Sequence, residues 1–151
     1  MVKKCFIFGN KIDESIQLYQ NLKDELEANI LKRDVKKFLF SESGKFSYIC
    51  YELLSDLKEK YCEIERVYCY SENILKQDFC KYKQLSKGLY DDFLCLYSGF
   101  DSKKNECIEL LKIIDICDLI LLNFKEKGAM VDFVKNVSKI KNKEIIFFNE
   151  E

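Results

Sequence analysis

The chain contains no histidine, no proline and no tryptophan, and only five of its 151 residues are glycine. Without histidine, a Ser–His or Cys–His nucleophile pair and a histidine general base are both excluded. Any chemistry must therefore use carboxylates, lysines, tyrosines, a thiol or a bound ligand. The loops G-x-x-x-x-G-K-[ST] and G-x-G-x-x-G are absent as well, so the chain is neither a Walker A protein nor an ordinary NAD dehydrogenase.

The eight cysteines form no C-x-x-C pair. Because histidine is missing too, the usual zinc ligand sets are reduced to an all-cysteine site, and we predict no metal site. Most of the cysteines lie inside apolar runs, where a free thiol behaves as a small hydrophobic group. The sequence has no secretory signal and no apolar run of about 18 residues. These absences predict a reduced, cytoplasmic protein with no membrane segment.

The charge of the chain is nearly balanced, at −1, and its lysines are scattered. A balanced charge argues against nucleic acid or an anionic membrane surface as a partner. With 48% hydrophobic and 34% charged residues, the composition is that of an ordinary globular protein. The length predicts a single domain over residues 1–151.

Apolar runs of strand length alternate with helical stripes along the chain. We predict five strands, at residues 4–8, 37–40, 65–70, 118–124 and 143–148. Helices are expected at about residues 13–31, 46–61, 103–115 and 128–140. This alternation predicts an α/β fold, a single-domain, Rossmann-like, doubly wound and mainly parallel five-stranded sheet with helices on both faces.

Some details of this prediction are less regular. The first helix is expected to be capped by Asp13, and the third to turn Ile108, Leu111 and Ile114 inward. An irregular insert at about 71–92 interrupts the pattern, and a loop of this length is usually functional or mobile. The run at residues 93–97 fits either an extra strand or simple packing.

In such folds, ligands bind beyond the carboxyl ends of the strands, where the strand order reverses. With the first strand central, three loops converge there, and their small and polar residues permit close backbone approach. The predicted ligand-binding residues are Gly9, Asn10, Ser41, Ser43, Gly44, Lys45, Asn123, Gly128 and Ala129.

Each of the two later loops has a simpler interpretation beside the functional one. The stretch Ser41–Lys45 precedes a helix, so it either holds a phosphate at the helix N-terminus or only caps the helix. Gly128 and Asp132 likewise either face a phosphate and a ribose or form a helix start with an acid that complements the dipole. The catalytic candidates, if there is catalysis, are Asp132 and Glu42.

Two further clusters carry weaker signals. The segment Tyr90–Asp92 fits a ribose or metal contact, or a solvated loop. Several tyrosines fit either a base-stacking platform or a satellite core under the long loop: Tyr68, Tyr70, Tyr82, Tyr90 and Tyr97.

Together these motifs resemble the SLOG superfamily, a Rossmann-like group that includes YpsA-like proteins, DprA and the LOG nucleotide phosphoribohydrolases. The resemblance covers nearly the whole chain. It rests on "FGNK" at residues 8–11, "FLFSESGKFSYICYELLSDLKEKY" at 38–61, "YDD" at 90–92, "IDICDLILLNF" at 114–124 and the turn at Gly128. The sequence departs from the family at Asn10 and Lys11, where a histidine-arginine pair is usual, and at Asp132, which replaces a glutamate.

The resemblance implies a sensor or regulatory protein that binds a nucleotide-derived small molecule, such as a nucleotide or an NAD or ADP-ribose type of ligand. Assembly into homo-oligomers is the family's habit. Two alternatives stay open: a nucleotide N-glycosidase of the phosphoribohydrolase type, and a protein-interaction module whose pocket has decayed. A decayed pocket would be filled by Phe46, Phe124 or Met130.

Overall fold

The computed structural model describes residues 2–9, 15–41, 44–72, 90–98, 105–123 and 127–148. Six strands lie in this part of the chain: β1 Lys3–Phe8, β2 Val35–Phe40, β3 Glu65–Glu72, β4 Asp92–Ser98, β5 Leu119–Asn123 and β6 Glu144–Phe148. The helices described are α1 Ile16–Leu31, α2 Lys45–Lys60, α3 Asn105–Ile116 and α4 Ala129–Ile140.

The strands form one all-parallel sheet in the order β4-β3-β2-β1-β5-β6. An α/β fold with a parallel sheet is therefore confirmed, but the predicted number of five strands is wrong. The sixth strand is β4, the run that also fitted simple packing. The run was ambiguous because β4 lies at the sheet edge, where Leu94 is 36% exposed and Cys95 is exposed.

Two apolar cores cover the two faces of the sheet. Helices α1 and α2 pack on one face, against side chains that include Cys5, Ile7 and Phe38. Helices α3 and α4 pack on the other, against Phe6 and Leu39 among others. All five residues of β5 are buried, as expected for a continuous apolar strand covered on both faces.

The capping residue of α1 and the buried face of α3 differ from the prediction. Helix α1 is capped by Ser15, whose Oγ accepts a hydrogen bond from the Leu18 N–H at 3.1 Å, and Asp13 lies outside the described residues. The buried residues here are Leu110, Ile113 and Ile114 of α3 and Cys117 just after it, at the i, i+3, i+4, i+7 spacing of one helix face. Ile114 is therefore buried as predicted, whereas Ile108 is 37% exposed and Leu111 is only partly buried.

No helix in the described segments is both long and apolar enough to cross a lipid bilayer.

Replacing Leu121 by alanine tests the burial of the central strand. Leu121 is fully buried in β5, so Leu121→Ala is expected to lower the free energy of unfolding by about 3 kcal/mol. The matched variant Leu94→Ala, on the edge strand, should cost about 1 kcal/mol or less, because much of its side chain is already in water. Urea denaturation followed by circular dichroism measures both; equal losses would contradict this assignment of centre and edge.

Candidate functional site

The strand order reverses at β1. The chain moves from β1 outward through β2, β3 and β4, and then returns to the other side of β1 with β5 and β6. The connecting helices consequently leave β1 and β5 toward opposite faces of the sheet. In open α/β sheets this arrangement leaves a crevice beyond the carboxyl ends of the two strands.

The strand register brings the predicted loops to this crevice. Phe8 of β1 pairs with Leu122 of β5, so continuing the register by one residue places Gly9 beside Asn123. Ser41 directly follows β2, the other neighbour of β1. Of the predicted residues, Asn10, Glu42 and Ser43 lie outside the described part of the chain.

Helix α2 begins at the crevice with a glycine. Gly44 is its N-cap residue, with φ −83° and ψ −146°, and a glycine provides no side chain to cap the helix. The first turn of α2 contains no acidic residue. Because the N-terminal N–H groups of a helix and its dipole favour anions, this end of α2 is chemically suited to a phosphate.

A buried hydroxyl fixes the start of α2 against the end of β1. Ser47 is 4% exposed, and its Oγ donates a hydrogen bond to the carbonyl oxygen of Gly9 at 3.3 Å. This contact ties two of the three loops together. The sequence analysis missed this contact, because the two residues are 38 positions apart and no local pattern distinguishes Ser47 from other serines.

Beneath the loops, the sheet face under α2 is filled by aromatic side chains. Phe46 is fully buried, and its ring centroid lies 6.1 Å from that of Phe148 at the end of β6. Phe46 is one of the residues expected to fill a decayed pocket. Met130 is partly buried and packs on the opposite core, and Phe124 is outside the described residues.

Asn123 ends β5 at the crevice and is the only polar residue of that strand. Its side chain is 4% exposed. The Oδ1 atom accepts no hydrogen bond from the described residues, while the residue as a whole makes other interactions.

Helix α4 starts on the opposite face with a backbone that only glycine adopts readily. Gly128 is its N-cap residue at φ 155° and ψ 164°, and it too provides no capping side chain. A Cβ atom built at Gly128 would meet nothing within 4 Å, so backbone conformation and not crowding requires the glycine. Ala129 and the exposed Asp132 follow in the first turn of the helix.

The segment Tyr90–Asp92 lies at the amino ends of β3 and β4, away from the crevice at the carboxyl ends of the strands. Asp91 accepts hydrogen bonds from the Arg66 backbone N–H at 2.8 Å and from Arg66 Nε at 3.0 Å, and Lys58 Nζ lies 3.0 Å from its other oxygen. Arg66 is at the amino end of β3. The Asp91 carboxylate is thus paired with Arg66 and Lys58 at a distance from the predicted site. Tyr90 and Asp91 lie in a bend and Asp91 and Asp92 are exposed, which agrees with the solvated-loop alternative.

The described tyrosines pack together. The ring of Tyr68 stacks on Tyr90 at 5.2 Å and on Tyr70 at 6.4 Å. Tyr90 also contacts Tyr51 and Phe40 on the core face covered by α2. Burial raises the pKa of the Tyr90 hydroxyl to about 12. The satellite-core interpretation is confirmed for Tyr68 and Tyr90, whereas Tyr82 and the side chain of Tyr97 are not described.

Most of the cysteines described are buried, as predicted: Cys5, Cys50, Cys69 and Cys117. Burial raises the pKa of Cys69 and Cys117 to about 12, which keeps these thiols protonated. Cys62 and Cys95 are exposed. Within the described ranges, no three cysteine, aspartate or glutamate side chains gather in an arrangement that could hold a metal ion.

A cavity of about 260 Å³ lies apart from the crevice, between β4 and α3, and is lined by Leu94, Cys95, Leu96, Lys112, Asp115 and Ile116. None of these residues was predicted as a site residue.

Comparison with known proteins adds no family to this picture. The sequence matches no protein-family model, and it matches no curated protein. Membership of the SLOG superfamily therefore stays a prediction.

Substituting the two N-cap glycines tests their different backbone requirements. Gly128→Ala should lower the free energy of unfolding by about 1–3 kcal/mol, because its φ of 155° strains any other residue. Gly44→Ala serves as the control and should cost less than about 1 kcal/mol, because a φ of −83° is accessible to all residues. Urea denaturation compares the two, and a larger loss for Gly44→Ala would contradict the assignment.

Asp91 should contribute to the acid sensitivity of the fold. Partial burial alone raises its pKa, but hydrogen bonds from Arg66 and Lys58 outweigh burial and hold the pKa below its ordinary value of 3.8. A carboxylate with a lowered pKa stabilises the fold above its unfolded pKa, and this contribution is lost as the pH falls through the lower, folded value. We expect the free energy of unfolding to fall less steeply below about pH 4 in Asp91→Asn than in the wild type.

The control for this experiment is Asp56→Asn, which neutralises an exposed carboxylate on α2. Its unfolding free energy should follow that of the wild type across the same range. If the free energy of unfolding falls equally steeply below about pH 4 in the wild type and in Asp91→Asn, the prediction is contradicted.

Proposed function

We propose that the chain binds a phosphate-bearing, nucleotide-derived small molecule at the carboxyl edge of β1, β2 and β5, and that it acts as a sensor or regulatory protein. The reversal of strand order between β1 and β5 carries the proposal, because this is where open α/β sheets bind ligands. The same reversal, with helices on both faces, supports the Rossmann-like interpretation.

The helix starts around the crevice support an anionic ligand. Helices α2 and α4 both begin with an N-cap glycine, which has no capping side chain of its own, whereas α1 is capped by Ser15. A serine cap satisfies helix N–H groups internally, but a glycine N-cap leaves room for a ligand to approach the backbone. The start of α2 is the better phosphate site of the two, because α4 carries Asp132 in its first turn.

The remaining residues fit the other parts of a nucleotide. Lys45 places one positive charge in the first turn of α2. Asp132 is an exposed carboxylate at the start of α4 and provides oxygens that can accept hydrogen bonds from ribose hydroxyl groups. Its exposure favours binding over N-glycosidic hydrolysis, since hydrolysis would require an oxocarbenium-like centre in a dry pocket.

Gly44→Asp separates ligand binding from stability. Aspartate is a better N-cap than glycine, so the variant should unfold at the same temperature as the wild type or slightly higher. Its carboxylate would repel a phosphate at the helix start. We expect one member of a panel of nucleotides, NAD, ADP-ribose and cyclic dinucleotides to raise the wild-type Tm by roughly 5–10 °C at about a hundred times its Kd, and to leave Gly44→Asp unshifted.

The control variant is Asn142→Asp, which adds the same charge at the opposite edge of the sheet. Asn142 is exposed with φ 57°, a conformation that aspartate also tolerates. Asn142→Asp should keep the full ligand shift. A ligand that shifts the wild type and Gly44→Asp equally binds elsewhere and would overturn the assignment of α2.

The burial of Phe46 favours a second candidate, a protein-interaction module. Phe46 and Phe148 fill the sheet face beside the start of α2, as a decayed pocket would require. If no ligand of the panel shifts the wild-type Tm, this candidate replaces the first. Affinity capture with the wild type and with Gly44→Asp would then test whether the carboxyl edge of the sheet, at the start of α2, binds a protein.

A further inference from the structure

The edge strand β4 is weakly attached through its own side chains. Of its described side chains, from Asp92 to Leu96, none is fully buried. By contrast, all five residues of β5 are buried. Strand β4 pairs with β3 alone in the described sheet. Few buried apolar contacts are typical of a unit that opens locally before the whole protein unfolds.

Two residues immediately before β4 add to the few contacts of the strand itself, in which Phe93 meets the Tyr68 ring and Leu96 packs on the core beneath α3 and α4. The ring of Tyr90 lies among four other aromatic rings, with centroid distances of 5.0 Å to Tyr51, 5.2 Å to Tyr68, 5.8 Å to Phe40 and 6.4 Å to Phe93. The first three rings belong to α2, β3 and β2, so one side chain connects the start of β4 to three elements.

Asp91 adds a second set of contacts, in both backbone and side chain. Its N–H donates to the Arg66 carbonyl at 2.9 Å, and its carboxylate accepts from the Arg66 N–H and guanidinium. Lys58, in the last turn of α2, pairs with the same carboxylate.

The ion pair is shielded from solvent. The Arg66 side chain is 12% exposed and the Asp91 side chain 20%. The guanidinium also donates to Ser55 Oγ and lies 4.8 Å from the centre of the Tyr51 ring. A partly buried and hydrogen-bonded pair of this kind is costly to break from one side, because the remaining charge stays shielded and unpaired.

We propose that Tyr90 and Asp91 form an anchor that controls whether β4 is attached to the sheet. With the anchor intact, β4 is held parallel to β3. When the anchor is broken, β4 detaches as a local unit, while β1, β2, β3, β5 and β6 stay folded around the two cores. The anchor therefore makes the edge of the fold a two-state element.

Detachment would change the surface that the protein presents. Strand β3 would become the edge of the sheet, and its backbone N–H and C=O groups that now pair with β4 would be open to another chain. Residues Val67, Tyr68 and Cys69, which are buried now, lie on that strand.

Asp91→Asn tests the anchor by hydrogen exchange on the full chain. The substitution keeps the shape of the side chain and removes its charge. We expect the amides of β4 to exchange at least about tenfold faster than in the wild type, and those of β1 and β5 to keep their rates. Circular dichroism should be close to that of the wild type, because only the edge strand opens.

Two further variants make the test specific. Glu63→Gln is the matched control, because it neutralises an exposed partner of Lys36 in the turn just before β3, at the same edge of the sheet. It should leave β4 exchange unchanged. Tyr90→Ala removes the ring but keeps both residues of the ion pair. It should accelerate the hydrogen exchange of the β4 amides in the same way as Asp91→Asn.

Either of two results would overturn the proposal. If the amides of β4, β1 and β5 all exchange faster by the same factor in Asp91→Asn, β4 opens only with global unfolding. If β4 exchange is unchanged in both Asp91→Asn and Tyr90→Ala, its pairing with β3 holds it without the anchor.

Discussion

The parallel pairing of β1 with β5 is the contact on which the rest of the fold depends. It joins the part of the sheet built outward through β2, β3 and β4 to the part built from β5 and β6. The last four residues of β1 and the first four of β5 are apolar and buried, so the register of the two strands is set by side chains on two faces at once. The candidate site is a consequence of the same pairing, because the crevice exists only where the chain turns back past β1.

The sequence predicts the parts of this fold that depend on local chemistry. Continuous apolar runs identify β1 and β5, since strands covered on both faces need no polar alternation. Strand β4 was harder to predict, because an edge strand buries few of its side chains and has a neighbouring strand on one side only. The inward face of α3 was predicted correctly only at Ile114, for a related reason: several adjacent positions of that helix are aliphatic, and only packing decides which stripe faces the sheet.

The residues of the candidate site also divide into those with a local sequence signal and those that depend on long-range contacts. Gly44 and Gly128 could be predicted, because a glycine between a strand and a helix is a local signal. Ser47 and its bond to Gly9 could not, because the two residues are 38 positions apart and a serine inside a helix has many uses. The contact of Arg66 with Asp91 was missed for the same reason, at a separation of 25 positions. Asp91 precedes a strand and Asp132 lies in the first turn of a helix, and only the surrounding structure shows that the first is ion-paired and the second exposed.

The two edges of the sheet consequently differ in chemistry. Ion pairs between described residues gather toward the amino edge, where Lys36, Lys37, Arg66 and Lys141 meet acidic partners. Exposed pairs of this kind contribute little each, but they satisfy the charges at that edge. At the carboxyl edge, α2 and α4 begin with glycines that provide no capping side chain, and the backbone is positioned by the buried Ser47 contact. A helix start without a side-chain cap costs stability unless something else meets its N–H groups. The proposed ligand would meet these helix starts through hydrogen bonds from their backbone N–H groups, as the Ser15 side chain does for one N–H group of α1.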